Sequence, residues 1–185
     1  MDLNLILLTI ASFGGYIFTN RRRPVYKFKT WLDNHIKYSR IFIIPYISLY
    51  LYIVYSVFVV NLSIRPLLLT SLIATNTIAT VFWYLVPNGV NRDKVPVKNF
   101  LDKIANFIYS HDGDTNGFPS GHVFLSLICS YYLFASSSNF LYLIFGIIIA
   151  VSTVYTKQHY VIDILGGIIF GSLGILASKY LLFHW

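Results

Sequence analysis

The chain has 185 residues, of which 56% are hydrophobic and only 11% are charged, and its net charge is +7. A soluble domain carries roughly 25% charged residues, so this composition excludes a protein whose whole surface faces water. In a chain this apolar, an excess of Lys and Arg is typical of one membrane face and of contact with anionic lipids, and we expect no nucleic-acid partner. The single cysteine, Cys129, excludes a disulfide framework.

Apolar runs divide the chain into candidate membrane spans, for which a helix needs about 20 residues. In chain order they are Leu3–Thr19, Ile41–Val60, Leu67–Val86, Ser120–Ser136, Phe140–Thr156 and Val161–Phe183. We therefore predict one all-α domain over residues 1–185, a polytopic membrane helical bundle of about six transmembrane helices. Asp2, with no basic residue before the first run, favours an uncleaved span over a signal peptide.

Two further segments have helical periodicity together with a polar face. In Val97–Tyr109 apolar side chains recur at helical spacing, and Pro96 suits the start of a helix. The stretch after Pro24 has a similar apolar stripe, made of Phe28, Trp31, Leu32 and Ile36. Both segments are predicted to be amphipathic helices in the membrane interface, with simple loop packing as the alternative.

Small and polar residues inside the spans are predicted to pack helices together. Gly167 and Gly171 in the last span have GxxxG spacing, which lets two helix backbones approach closely. Packing within the chain is favoured over a homodimer, and the oligomeric state stays open. Asn76 in the third span is expected to join two helices by a hydrogen bond.

The ionisable residues that could carry out chemistry lie at one end of the predicted bundle. Ionisable residues collect in the loop between Pro87 and His122 and in the turn 157–159, which the span count places on the same side. Such residues are costly at membrane depth, so their convergence indicates a functional site. His122 opens the fourth span and His159 the sixth, so the two histidines can meet.

The spacing around these histidines suits nucleophilic chemistry. His159 and Asp163 are four residues apart, which puts both on one helix face. A carboxylate there can accept the Nδ1 proton and leave Nε2 free to attack. His122 follows a Pro-Ser-Gly turn, whose N–H groups can bind an anion, and Ser120 can serve as N-cap or phosphate donor.

Nearby cations complete a set that is typical of phosphoryl transfer. The cations are Arg92, Lys94 and Lys157, and arginine suits bidentate phosphate binding. No carboxylate cluster and no His/Cys cluster in the sequence has metal-ligand spacing, so we predict neither a metal nor another cofactor.

Two motifs in this region resemble those of the type 2 phosphatidic acid phosphatase superfamily of membrane enzymes. Pro119-Ser120-Gly121-His122 matches its second motif, and Ser152 followed by His159 and Asp163 matches its third. The resemblance covers Pro87 to Gly167, so the catalytic region is expected at about residues 87–167. The context of residues 112–118 and 152–160 is most similar to the branch that contains inositol phosphorylceramide synthases.

The sequence departs from the family pattern at positions that would bind phosphate. The first motif keeps Arg92, but Asp93 follows it instead of proline and the preceding lysine is missing. The arginine of the third motif is Thr153 here, with Lys157 as a candidate replacement.

The resemblance implies a role for each matched residue. His159 would attack phosphorus and form a phosphohistidine, Asp163 would orient it, and His122 would protonate the leaving oxygen. The residues expected to bind phosphoryl oxygens, or to supply charge beside them, are Arg92, Lys94, Ser120, Gly121 and Lys157. The implied substrate is a phospholipid or another lipid phosphate in the membrane.

Three functions and two orientations stay open. The leading function is a lipid phosphatase; the alternatives are a lipid phosphotransferase with an alcohol acceptor and a proton-coupled transporter with a His–Asp relay. We expect a multi-pass integral membrane protein. Twelve of the fourteen Lys and Arg residues lie on the side of the site, which indicates the cytoplasm, whereas the resemblance implies the outer or luminal face.

Overall fold

The computed structural model describes residues 2–92 and 94–183, and it confirms the all-α prediction for this part of the chain. The helices are α1 (Asp2–Ser12), α2 (Gly14–Thr19), α3 (Ile43–Val59), α4 (Arg65–Leu85), α5 (Phe100–His111), α6 (Gly121–Ser137), α7 (Leu141–Tyr155) and α8 (Val161–Phe183). Two 3-10 turns, Leu32–Asn34 and Arg40–Phe42, lie between α2 and α3.

All six predicted apolar runs are helical, and three are long and apolar enough to cross a membrane. These three are Arg40–Val59, Arg65–Leu85 and Val161–Leu182. The apolar segments Leu3–Thr19, Gly121–Ser137 and Leu141–Tyr155 are shorter. A bundle of six spans therefore stays a prediction.

The first predicted span is divided into two helices. Phe13 lies between α1 and α2, where its backbone N–H donates to Ile10 and its carbonyl accepts from Tyr16 in tight turns. Gly14 and Gly15 follow, and a glycine pair is a common place for a helix to bend. Gly15 also lets α2 approach α4 closely, because a Cβ atom there would lie 2.2 Å from Thr80 Oγ1.

Helix α6 lies at the centre and packs against α3, α4, α7 and α8. The α8 glycines let it do so: a Cβ on Gly167 would lie 2.5 Å from Val123 Cβ, and one on Gly171 would lie 2.7 Å from Leu127 Cδ2. The GxxxG pair therefore packs within the chain, as expected. Asn76 also joins helices, since its Nδ2 donates to Ser12 Oγ of α1 at 3.1 Å.

Helix α5 confirms that the first amphipathic segment is helical, but it begins later than predicted, and its place in a membrane interface stays a prediction. It begins at Phe100 rather than after Pro96, because Asn99 and Asp102 form a reciprocal capping box. Asp102 is fully buried although it belongs to the polar face of this helix; Tyr38 Oη donates to it and Arg40 pairs with it at 3.4 Å. Burial alone would raise the pKa of Asp102, but its hydrogen bonds and Arg40 lower the pKa below the ordinary value.

The prediction of a second amphipathic helix, in the segment after Pro24, is wrong. Apart from the turn Leu32–Asn34 the segment is not helical. The backbone N–H groups of Val25 and Tyr26 both donate to the carbonyl of Pro87, at 2.8 and 3.0 Å. Asp33 then accepts from the backbone N–H of Thr30. These bonds satisfy the backbone in place of a helical ladder.

The α6–α8 contact gives a stability prediction. Gly167→Ala is expected to lower the free energy of unfolding by about 1–3 kcal/mol, because its methyl group would overlap Val123 and the Ser120 carbonyl. Thermal unfolding of the purified protein in detergent measures this. Gly14→Ala is the control, since nothing lies within 4 Å of a Cβ there. Equal melting temperatures for Gly167→Ala and wild type would contradict the contact.

Candidate functional site

The beginnings of α6 and α8 meet at one end of the bundle and carry the two predicted histidines. The backbone N–H of Ser120 donates to the carbonyl of Asp163 at 3.1 Å, which joins the two helix starts. The rings of His122 and His159 lie with their centroids 6.2 Å apart. The structure thus brings together the residues that the span count placed on one side.

His159 is held through its Nδ1 atom. Nδ1 lies 2.8 Å from the carbonyl oxygen of Gly117 and 3.5 Å from Oδ2 of Asp163. A carbonyl only accepts, so Nδ1 carries the proton and Nε2 keeps its lone pair in the neutral ring. Oδ2 of Asp163 also accepts from the backbone N–H of Tyr160 at 2.8 Å, which caps α8. The expected His159–Asp163 pair is present, but Gly117 is the nearer partner.

His122 lies in the first turn of α6 between aromatic rings of α3. Tyr46 stacks on its ring at 4.0 Å with an interplanar angle of 15°, and Tyr50 meets it edge-on at 6.0 Å. Its Nε2 atom is buried and has no hydrogen-bond partner in residues 2–92 and 94–183. The α3 helix therefore fixes the plane of the ring and leaves this nitrogen for a group outside the protein.

Ser120 and Gly121 form the turn before His122. Ser120 occupies the N-cap position of α6, but its side chain makes no capping bond, and its buried Oγ has no partner within the described part of the chain. A hydroxyl without a partner is costly to bury. A Cβ on Gly121 would only touch Phe124 and Trp83 at 3.9 Å, so this glycine leaves the approach to the turn open.

Arg92 reaches the site from the loop after α4, and its side chain is only 4% exposed. Its guanidinium donates to the carbonyls of Asp112 and Gly113, at 3.3 and 2.5 Å. The carboxylates of Asp112 and Asp114 lie 3.9 and 3.8 Å away. Asp112 is itself held by Tyr16. Arg92 is thus buried beside the histidines, with much of its charge already balanced.

Two cavities adjoin His159 and Arg92. The inner cavity is narrow, about 70 Å³, and lies between the two histidines and the helices α2, α3, α4 and α6. The vestibule is larger, about 500 Å³. It is lined by His159, Arg92, Lys29, Lys94, Lys157 and Tyr38, among others. His159 is therefore reached from a polar side and from a mostly apolar side.

The two predicted lysines both line the vestibule, but in different ways. Lys94 is exposed. Lys157 has a left-handed backbone, φ 56°, and its Nζ donates to the carbonyls of Asp33 and Ile36. Burial lowers the pKa of Lys157, and Lys29 adds to this against the opposing charge of Asp33. The ammonium group of Lys157 is thus hydrogen-bonded to the segment before α3.

Asp33 and Asn88 shape the site, and the sequence analysis missed both. Oδ1 of Asp33 accepts from the backbone N–H of Val161 at 2.8 Å, across 128 residues, and so caps α8 beside His159. Asn88 is buried, donates to the carbonyl of Phe118 and accepts from its N–H. A short-range sequence pattern cannot reveal either contact, because each joins segments that are far apart in the sequence.

The protein is thus a bundle of apolar helices with a pair of neighbouring histidines at one end. A family model described as the PAP2 superfamily matches residues 67–185, which is more than half of the chain. The chain therefore belongs to the PAP2 superfamily, whose members are generally phosphoesterases and typically associate with membranes. Neither the search of curated proteins nor that of solved structures found a match.

The cap on α8 gives a second prediction. Asp33→Ala should destabilise the protein by about 1–3 kcal/mol, because it leaves the partly buried N–H groups of Val161 and Thr30 without their acceptor. Trypsin should then cut faster at Lys29 and Lys37, which flank the turn. Asn34→Ala, in the same turn but exposed, is the control. Cleavage at the wild-type rate in Asp33→Ala would show that the cap is not needed.

Proposed function

We propose that this protein is a membrane lipid phosphatase, which hydrolyses a phosphate monoester or pyrophosphate on a lipid through a phosphohistidine. The observation that carries the proposal is the histidine pair: His159 has a fixed tautomer, and Nε2 of the neighbouring His122 is buried without a partner among the described residues. Membership of the PAP2 superfamily supports phosphoester chemistry. It also favours this function over a proton-coupled transporter.

The first step joins His159 to phosphorus. The Nε2 lone pair of His159 forms the N–P bond while the bond from phosphorus to the leaving oxygen breaks. The Nδ1 proton stays with His159, where the Gly117 carbonyl and Asp163 stabilise the positive charge that develops on the ring. The step needs His122 to be protonated while the phosphate dianion is bound beside it; His122 then gives this proton to the leaving oxygen.

The second step releases phosphate. The neutral His122 takes a proton from water, the resulting hydroxide attacks phosphorus, and the N–P bond breaks so that its electron pair returns to Nε2 of His159. Arg92, Ser120 and the backbone of Gly121 would stabilise the phosphoryl oxygens, with Lys94 and Lys157 raising the local positive potential. Every group in this cycle belongs to the protein, the substrate or water, and we predict that the reaction needs no metal or other cofactor.

A phosphotransferase is the second candidate, and the vestibule favours it. A cavity of about 500 Å³ next to His159 is far larger than a water molecule requires. An alcohol on a polar headgroup could enter there and attack the phosphohistidine in place of water. The resemblance to the inositol phosphorylceramide synthase branch belongs with this candidate. Release of inorganic phosphate, against transfer to an added alcohol, separates the two.

Replacing His159 and replacing His122 are expected to impair different steps of the reaction. His159→Ala should abolish turnover of every substrate because the nucleophile is missing. His122→Ala should slow an alkyl phosphate by about 10²–10⁴-fold, but p-nitrophenyl phosphate should restore much of the rate because its leaving group needs no proton. Steady-state assays with both substrates measure this, with His35→Ala as control, since His35 is exposed and lines neither cavity. Equal rescue of both variants, or of neither, would contradict the roles.

Helix α5 is proposed to admit the lipid. Its polar side is anchored by Asp102, while Phe100 and Phe107 are 73% and 62% exposed. Its C-terminal turn adjoins the site, since Tyr109 Oη donates to the carbonyl of Thr156. An apolar face at headgroup depth beside the catalytic turn would let a diacyl substrate slide in sideways.

Phe100→Ser with Phe107→Ser tests this role. Each aromatic side chain contributes about 1.5–3 kcal/mol of transfer free energy, so the double variant should turn over long-chain lipid phosphates poorly. A short water-soluble phosphate ester should be hydrolysed at nearly the wild-type rate. Lys103→Ser, exposed on the same helix, is the control. A parallel loss on both substrates with a lower melting temperature would mean that α5 only braces the fold.

A further inference from the structure

The site lacks an arginine at the position where the third motif of the family has one. Thr153 is there instead; it is fully buried, and its hydroxyl donates to the carbonyl of Ala150 within α7 at 2.7 Å. Lys157 does not replace the arginine directly, because its ammonium group binds the carbonyls of Asp33 and Ile36. A phosphate ligand that the family motif provides is therefore unaccounted for.

Gln158 has the properties that this ligand needs. It lies between Lys157 and His159, is only 2% exposed and lines the inner cavity with both histidines and Arg92. Its Nε2 atom is buried and makes no hydrogen bond to any residue in 2–92 or 94–183. An amide donor buried without an acceptor is destabilising, so its retention beside a nucleophile points to an acceptor supplied by the substrate.

The backbone holds Gln158 in this position. The left-handed conformation of Lys157 turns the chain, and the N–H groups of Gln158 and His159 both donate to the carbonyl of Thr153, at 2.9 and 3.1 Å. The turn thus directs the side chain of Lys157 to the segment before α3 and that of Gln158 into the inner cavity. The same carbonyl positions the nucleophile and its neighbour.

We propose that Gln158 donates a hydrogen bond to a phosphoryl oxygen of the substrate and so takes the place of the missing third-motif arginine. The proposal rests on the proposed function. Gln158 supplies a donor without adding a charge beside Arg92, which already lies 3.9 and 3.8 Å from carboxylate oxygens of Asp112 and Asp114. The chemical class that it recognises is the phosphoryl dianion of a phosphate ester.

The test is inhibition by inorganic phosphate of p-nitrophenyl phosphate hydrolysis, with purified wild type, Gln158→Met, Gln158→Glu and Gln158→Lys. Gln158→Met keeps the volume but loses the donor, and the inhibition constant should rise about 10- to 100-fold, as for a lost hydrogen bond to a charged group. Gln158→Glu should bind phosphate more weakly still, and Gln158→Lys more tightly than Gln158→Met. Thr77→Val, which removes an exposed hydroxyl of α4 that lines neither cavity, should leave the constant unchanged.

The order of the inhibition constants among the variants separates phosphate binding by Gln158 from a structural role of its side chain. If Gln158→Met does not fold, Gln158→Glu and Gln158→Lys at matched melting temperatures decide the matter. An inhibition constant within twofold of wild type in Gln158→Met, or equal constants for the Glu and Lys variants, would overturn the proposal while the proposed function stands. A folded wild type that hydrolyses no phosphate ester would overturn both.

Discussion

The joint between the starts of α6 and α8 is the constraint on which the site depends. Two hydrogen bonds make it: Ser120 N–H to the Asp163 carbonyl, and His159 Nδ1–H to the Gly117 carbonyl. The second bond also decides the tautomer of His159, the proposed nucleophile, so the same contact joins the helix starts and orients this ring. Because a backbone carbonyl does this, Asp163 is available both to cap α8 and to stabilise charge on the ring.

The part of the chain before residue 67, which the family match does not cover, completes this joint. Tyr46 of α3 stacks on His122, Tyr16 of α2 holds Asp112 beside Arg92, and Asp33 caps α8. Each contact acts on a group that the matched region places at the site. The matched region therefore supplies both histidines and Arg92, and the N-terminal segments of this chain contact these groups or their neighbours.

The exposed side of α5 and the two cavities fit the proposal of a lipid substrate. Helix α5 buries Asp102 and exposes Phe100 and Phe107, the reverse of a helix on a water-facing protein. The narrow inner cavity lies among aromatic side chains, whereas the vestibule is lined by cations. Between them stands His159, so a lipid tail and a polar acceptor would approach the nucleophile from different sides.

The sequence by itself determined the all-α class, the six apolar runs and the convergence of His122, His159 and Asp163, because hydrophobic periodicity and motif spacing act over short distances. It misjudged the segment after Pro24, where Asp33 bonds to backbone groups in place of a helix. Only the tertiary structure decided that Gly117 orients His159 and that Lys157 faces away from the inner cavity. Those contacts join residues 42 to 128 positions apart, and no local pattern encodes where a folded chain brings them.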